Sequence, residues 1–260
     1  MNWRDKMRPI ETGGIPMYID REIEKILHAC LAQFKCVLVT GARQTGKTTM
    51  LKHVLGSEYD YVTLDDINEL GNAIDDPGTF LNSSSTPIII DEIQLAPNLF
   101  RQVKLVVDAE DAYGSVVLTG SQTYNLMQGV SESLAGRVGI LELGSLSLRE
   151  IAGNAKGVPF VPRQLRRREA PKAPEGFDLW SHIQRGSMPR LQDTEVDRYS
   201  FYSSYIQTYL ERDVRQIINL KNQRKFYNFM IAAAARTGQL VNASDMANDV
   251  DVDVKTIQGW

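Results

Sequence analysis

Two short stretches carry the residues best suited to chemistry in this 260-residue chain: GARQTGKT, residues 41–48, and PIIIDEIQ, residues 87–94. The first matches G-x-x-x-x-G-K-[ST] between a β-branched run and a helical pattern, the setting of a loop that wraps phosphates. Gly41 and Gly46 permit the backbone angles that turn several N–H groups toward one point, and the following helix adds its positive N-terminal end. Ala42, Arg43, Gln44, Thr45 and Thr49 complete the cradle. Lys47 supplies a point charge for the β- and γ-phosphates of ATP, and the Thr48 hydroxyl can ligate Mg²⁺. In the second stretch Asp91, at a strand's carboxyl end, suits a carboxylate facing that Mg²⁺ through water. Glu92 sits where strand alternation can break, so its carboxylate can orient and deprotonate an attacking water. The competing reading of Glu92 is a surface acid capping the next segment.

Two further positions fit the same chemistry. VVLTGSQ ends a strand in hydroxyl and amide side chains, and Ser121 is the candidate γ-phosphate sensor, with Thr119 and Gln122 close to it. These groups can instead satisfy loop backbone. Arg137, in SLAGRVG, precedes the fifth strand, where a guanidinium can neutralise transition-state charge in its own site or in a neighbouring subunit's. Its alternative is a structural ion pair.

The elements that must position these residues follow from periodicity. YIDREIEKILHACLAQF places Ile19, Ile23, Ile26, Leu27, Cys30, Leu31 and Phe34 on one helical face, with Asp20 as N-cap. KCVLVT, YDYVTLDD, SSSTPIIIDE, GSVVLTGSQ and RVGILEL read as five short strands alternating with helices, and Ser147 to Glu150 spells a capping box. The pattern predicts an α/β fold, a mostly parallel five-stranded sheet with helices on both faces. Its predicted extent is residues 1–155. A Pro-rich, basic linker or insertion spans 156–176, and a helical domain covers 177–260. In that domain Tyr199, Tyr202, Tyr205 or Ile206, Tyr209, Val214 and Ile217 form a stripe read as helix core.

YIDREIEKIL, GARQTGKTT, VTLDD, IIIDEIQLAPNLF, VVLTGSQ and SLAGRVGILELGSLSLREI together resemble the bacterial and archaeal AAA-type P-loop ATPases that carry a C-terminal domain of unknown function, the 4143 family. IQRGSMPRL, YIQTYLERDVRQI and AARTGQLVNASDMANDVDVDVKTIQGW resemble the opening of that C-terminal domain. The resemblance implies a Mg-ATP-dependent module joined to a partial winged-helix-like segment. Family members continue well beyond the point matched by Trp260, which predicts a chain cut short of the family's length. Gly144 stands where the family usually has proline.

Composition narrows the function classes. Net charge is -3 with 43% hydrophobic and 23% charged residues, ordinary for a globular protein. No run approaches the ~20 apolar residues of a membrane span, and the N-terminus lacks a signal-peptide core, so the expected compartment is cytoplasmic. Cys30 and Cys36 fit no metal spacing, and His28, His53 and His182 are scattered; all five read as structural. Between Val241 and Trp260 four aspartates face Lys255 alone, the wrong sign for a DNA-reading helix. The stretch Lys156–Lys172 holds six basic residues against Glu169, which makes it the better nucleic-acid candidate, though a solvated linker is the simpler reading. The expected function is Mg-dependent ATP hydrolysis coupled to the helical domain, with a protein partner or a homo-oligomer as its context. The alternative is an ATP-dependent binding switch with negligible turnover; a small-molecule phosphotransferase is weaker, for want of an acceptor pocket.

Overall fold

The computed structural model describes residues 18–109, 111–121, 126–127, 129–130, 133–157, 176–209 and 222–260. Gln122, Val214, Ile217 and most of the basic stretch lie outside them. The described chain divides into two compact units between Val196 and Asp197. The first holds a five-stranded parallel sheet in the order β2-β3-β4-β1-β5, with β1 Cys36–Thr40, β2 Asp60–Thr63, β3 Ile88–Asp91, β4 Val116–Thr119 and β5 Val138–Glu142. All residues of β1, β3 and β4 are buried, as strands covered on both faces must be, and their sequences CVLVT, IIID and VVLT are near-continuous apolar runs. In space the strand between β1 and β3 is β4; β2, which lies between them in sequence, forms the sheet edge.

Side-chain alternation splits the core in two. Leu38, Ile88, Ile90, Val116 and Leu118 point to the face covered by α3 (Ile67–Asp75), α4 (Pro77–Ser83) and α5 (Leu99–Ala109). Val37, Val39, Ile89, Val117 and Leu141 point to the other, against Leu27 of α1 (Glu24–Leu31) and Met50, Leu51 and Leu55 of α2 (Lys47–Leu55). Cys36 is sealed in this sheet, and burial pushes its thiol above the ordinary range.

The first helix departs from the sequence reading. It begins at Glu24, not after Asp20, and has no side-chain N-cap. The residues ahead of it are committed elsewhere. Asp20 pairs with Lys156 at 2.9 Å. Arg21 is 5% exposed and its Nε meets Glu150 Oε1 at 3.1 Å. With the start shifted, Ile26 turns outward and is 54% exposed while Leu27 is fully buried. The capping box forms as expected on α6 (Leu148–Ile151): Glu150 N–H donates to Ser147 Oγ, and Ser147 N–H to Glu150 Oε2. The other Glu150 oxygen receives Arg21 Nε and the Glu22 N–H.

Helix α7 (Leu179–Arg185) belongs to the first unit, whose end at Val196 lies about twenty residues past the linker boundary read from composition. The second unit contains α8 (Arg198–Tyr209), α9 (Gln223–Ala235), α10 (Ala243–Val250) and α11 (Val254–Gly259). Asn242 and Asp253 cap the last two helices, and Asp251 makes the left-handed turn between them. Met246, Ala247, Val250 and Ile257 pack with Phe229 and Trp260. The stripe is core only in part: Ile206 packs against the cluster of Phe226, Met230 and Trp260, whereas α8 buries no residue fully and Tyr199 is 69% exposed. Its rings stack along the helix instead, Phe201 on Tyr205 and Tyr205 on Tyr209, which keeps phenol hydroxyls near water.

Glu150→Ala strips the Arg21 guanidinium of its buried counter-charge and breaks the capping box together. Removing one partner of such a pair costs about 3–5 kcal/mol, so the urea midpoint should fall sharply, with an unchanged midpoint as the contrary result.

Candidate active site

Strand β1 delivers Thr40 to a loop, 41–46, that bends back over the sheet before α2 begins at Lys47. Glycine is required at its start for a steric reason: a Cβ on Gly41 would sit 2.2 Å from the Leu143 carbonyl oxygen, where the chain leaves β5. Gln44 and Gly46 take left-handed backbone angles, φ 59° and 91°. The loop closes on itself through Lys47, whose Nζ donates to the Gly41 and Ala42 carbonyls at 2.9 Å each, and through Thr45 Oγ1, which donates to Ala42 O at 2.9 Å. An ammonium held at the mouth of a helix N-terminus is a site for phosphate oxygens. Arg21 pins the same loop from behind, with Nη1 donating to Thr45 O at 2.8 Å.

Although β4 separates β1 from β3, the start of α2 meets the end of β3. Thr48 Oγ1 donates to Asp91 Oδ2 at 2.6 Å, and the Glu92 N–H donates to Asp91 Oδ1 at 3.0 Å. A third donor is Tyr61, from the edge strand, whose hydroxyl reaches Asp91 Oδ2 at 2.9 Å. Burial first, then the bond to Asp91, pushes the Tyr61 phenol up from its ordinary value, so the proton stays on the tyrosine. Lys52 Nζ lies 3.6 Å from the centre of the Tyr61 ring. The hydroxyl of Thr48 and the carboxylate of Asp91 form a hard oxygen pair that fits Mg²⁺, which takes one or two protein oxygens and completes its shell with phosphate and water.

At Glu92 the alternation of β3 ends in a left-handed residue, φ 56°. Its carboxyl is raised above the usual carboxylate range, chiefly by burial and further by Asp91; the bond from Gln94 and the Arg43 guanidinium oppose that rise. Gln94 Nε2 donates directly to Glu92 Oε2.

A family model described as an AAA domain matches residues 33–152, and one described as a domain of unknown function (DUF8612) matches 176–260. Residues 33–152 thus form an AAA domain. The number of the matched C-terminal model differs from the 4143 that the motifs suggested. Uncharacterized proteins of Mycobacterium tuberculosis and Mycobacterium bovis are each 30% identical to this chain over 246 residues, 92% of this chain and 50% of theirs. The chain thus spans about half the length of the curated relatives it matches. A Walker-type ATPase of Pyrococcus abyssi shares the fold, with a TM-score of 0.50 at 15% identity over 95% of this chain and 92% of that one.

Within the AAA domain the structure brings together Gly41 to Thr49, Asp91 and Glu92. Thr119 and Ser121 lie at the end of β4, Thr119 fully buried, and the hydroxyl oxygens of both have no hydrogen-bond partner among the described residues. Arg137 is not brought to this site. It precedes Val138, which pairs with Cys36 at the start of β1, whereas the P loop follows the end of β1. The two ends are about 13 Å apart at ~3.3 Å per residue. There Arg137 Nε and Nη2 clasp Asp108 at 2.6 and 3.2 Å, the ion pair that was its alternative reading, so action on its own site is ruled out by this placement. Sequence reasoning missed Tyr61, Arg21 and Gln94. The signal for Tyr61 was its place two residues ahead of Thr63, which pairs with Asp91 across β2 and β3.

Tyr61→Phe removes one donor from Asp91 and leaves the loop untouched. A bond of this kind is worth about 1 kcal/mol, roughly fivefold in affinity. The variant should bind Mg-ATP more weakly by that factor while its affinity for metal-free ATP stays level, as titration with and without EDTA would show.

Proposed function

We propose that this chain binds Mg-ATP in the curl of residues 41–49 and hydrolyses it, and that the nucleotide state is passed to the helical C-terminal unit. The observation that supports hydrolysis over binding alone is Glu92. It stands beside the Thr48–Asp91 pair, is turned out of the strand by its left-handed backbone, and feels the charge of Arg43 in the loop. The loop N–H groups and Lys47 hold the triphosphate, and Ser121 or Thr119 at the end of β4 contacts the γ-phosphate region. Thr48 and Asp91 would hold Mg²⁺, which supplies charge neutralisation across the β- and γ-phosphates. Glu92 accepts a proton from water as the water oxygen bonds to the γ-phosphorus and the bridging oxygen leaves with ADP. A carboxyl whose affinity for protons is raised by burial is better matched to that task. Arg137, remote from its own loop, would serve the site of a neighbouring copy, which makes a homo-oligomer part of this reading.

The route to the C-terminal unit runs past the loop. Leu146 N–H donates to Ser187 O at 2.9 Å, and the Pro189 ring lies 3.8 Å from where a Cβ on Gly46 would stand. These two contacts, both within the first unit, are what supports such a route. For nucleic acid the support is weaker. Two of the aspartates near the α10–α11 turn are paired, Asp249 with Arg236 and Asp251 with Lys225, which tempers the negative sign without reversing it. Among the described residues no helix is long and apolar enough to cross a membrane.

Steady-state hydrolysis by the wild type and Glu92→Gln, each with and without duplex DNA, tests the reading. Loss of a general base costs about 10²–10⁴ in rate; the variant should bind ATP normally and turn over at least 100-fold more slowly. If both bind and neither turns over, the protein is a nucleotide-dependent binding switch.

A further inference from the structure

Two residues past Glu92, in the single 3₁₀ turn Ile93–Leu95, the Gln94 side chain is 9% exposed and runs from the Glu92 carboxylate to the end of β4. One end of its carboxamide, Nε2, donates to Glu92 Oε2. The other end, Oε1, is buried with no hydrogen-bond partner among the described residues and lies against Gly120. The fit there is close: a Cβ on Gly120 would stand 2.0 Å from Oε1 and 3.1 Å from Leu126 Cδ1. Gly120 does not take a left-handed backbone angle, so what this position demands is the absence of a side chain. The orientation of the amide is set by its partner, since turning it over would press an oxygen against a carboxylate and forfeit the N–H donor that Glu92 receives from Gln94. A buried carbonyl without a donor is costly, and it is kept here beside the strand end that carries Thr119 and Ser121.

Resting on the hydrolytic reading of Glu92, we infer that Gln94 is the positioning residue for that carboxylate, gripping it with one end and indexing it to the bare backbone of Gly120 with the other. Gln94 thereby ties the aim of Glu92 to the location of β4, the strand next to the P-loop strand. A displaced base loses rate without losing nucleotide, because the loop and Lys47 do not depend on it.

Three variants of the full chain test this: Gln94→Ala, Gly120→Ala and the two combined. Each is measured for kcat, for affinity toward a fluorescent ATP analogue, and for its urea midpoint. Gln94→Ala releases Glu92, and Gly120→Ala displaces the amide while leaving Gln94 in place. Each single change should lower kcat about 10- to 100-fold with the analogue bound as tightly as by the wild type. The double variant should be no slower than the slower single one, because the alanine at 120 has nothing left to displace. Should Gln94→Ala fail to fold, Gly120→Ala decides by the same split between kcat and affinity. Wild-type kcat in either folded single variant overturns the inference, as do losses that multiply in the double. A wild type that binds ATP without turnover defeats the hydrolytic reading itself, and this inference with it; a wild type that turns over beside an equally active Gln94→Ala defeats the inference alone.

Discussion

The buried Arg21 guanidinium sets the geometry on which the rest of the AAA domain depends. Its Nη1 holds the Thr45 carbonyl of the P loop, its Nη2 the Gly144 carbonyl at the exit of β5, and its Nε the Glu150 carboxylate that caps α6. Glu150 returns the constraint by accepting from the Glu22 and Ser147 backbones. Two charges removed from water are tolerable only when each is well supplied with hydrogen bonds, and every charged nitrogen and oxygen of this pair has at least one. The loop that takes phosphate is therefore positioned from two directions: by β1 leading into it, and by a side chain from ahead of the sheet that ties loop, strand exit and capping helix together. Lys156 on Asp20, at the surface, and Arg149 on Glu22, half-buried, add clamps to the same junction.

How much of this was legible depended on the range of the interactions. The strands announced themselves because a parallel sheet buries both faces, and CVLVT, IIID and VVLT have no polar alternation to confuse the reading. The P loop was legible because a positive φ at Gly46 is a local demand that its motif spells out, although the Leu143 carbonyl beneath Gly41 is a long-range one. The capping box at Ser147–Glu150 was equally local. What escaped were long-range commitments. Asp20 has the right type for a helix cap, yet its partner is Lys156, far along the chain. Tyr61 looked like a strand residue and nothing more, because the carboxylate it serves belongs to the neighbouring strand. Arg137 is the instructive case. Reading the sheet as parallel already implied that a residue just before a strand lies at the end opposite the loops that follow strands.

The second unit shows a different failure, one of chemical type. A tyrosine every three or four residues satisfies helical periodicity, but a phenol can end in water as comfortably as in a core. Stacking along α8 resolves the ambiguity in favour of a half-exposed ladder. The aromatic core of that unit comes instead from Phe226, Phe229 and Trp260, whose ring centres lie 5.3 to 5.6 Å apart in tilted and edge-on contacts.

The separation of Arg137 from its own P loop also bears on symmetry. A twofold dimer presses a surface patch against a copy of itself, so it can join two features only when both lie on that patch. Features at opposite ends of one sheet call for a contact in which the front of one copy meets the back of the next. Such a contact leaves an unmatched face at each end of any pair. In the proposed assembly, copies joined this way would either close into a ring or extend as a filament, as the rotation between neighbours dictates.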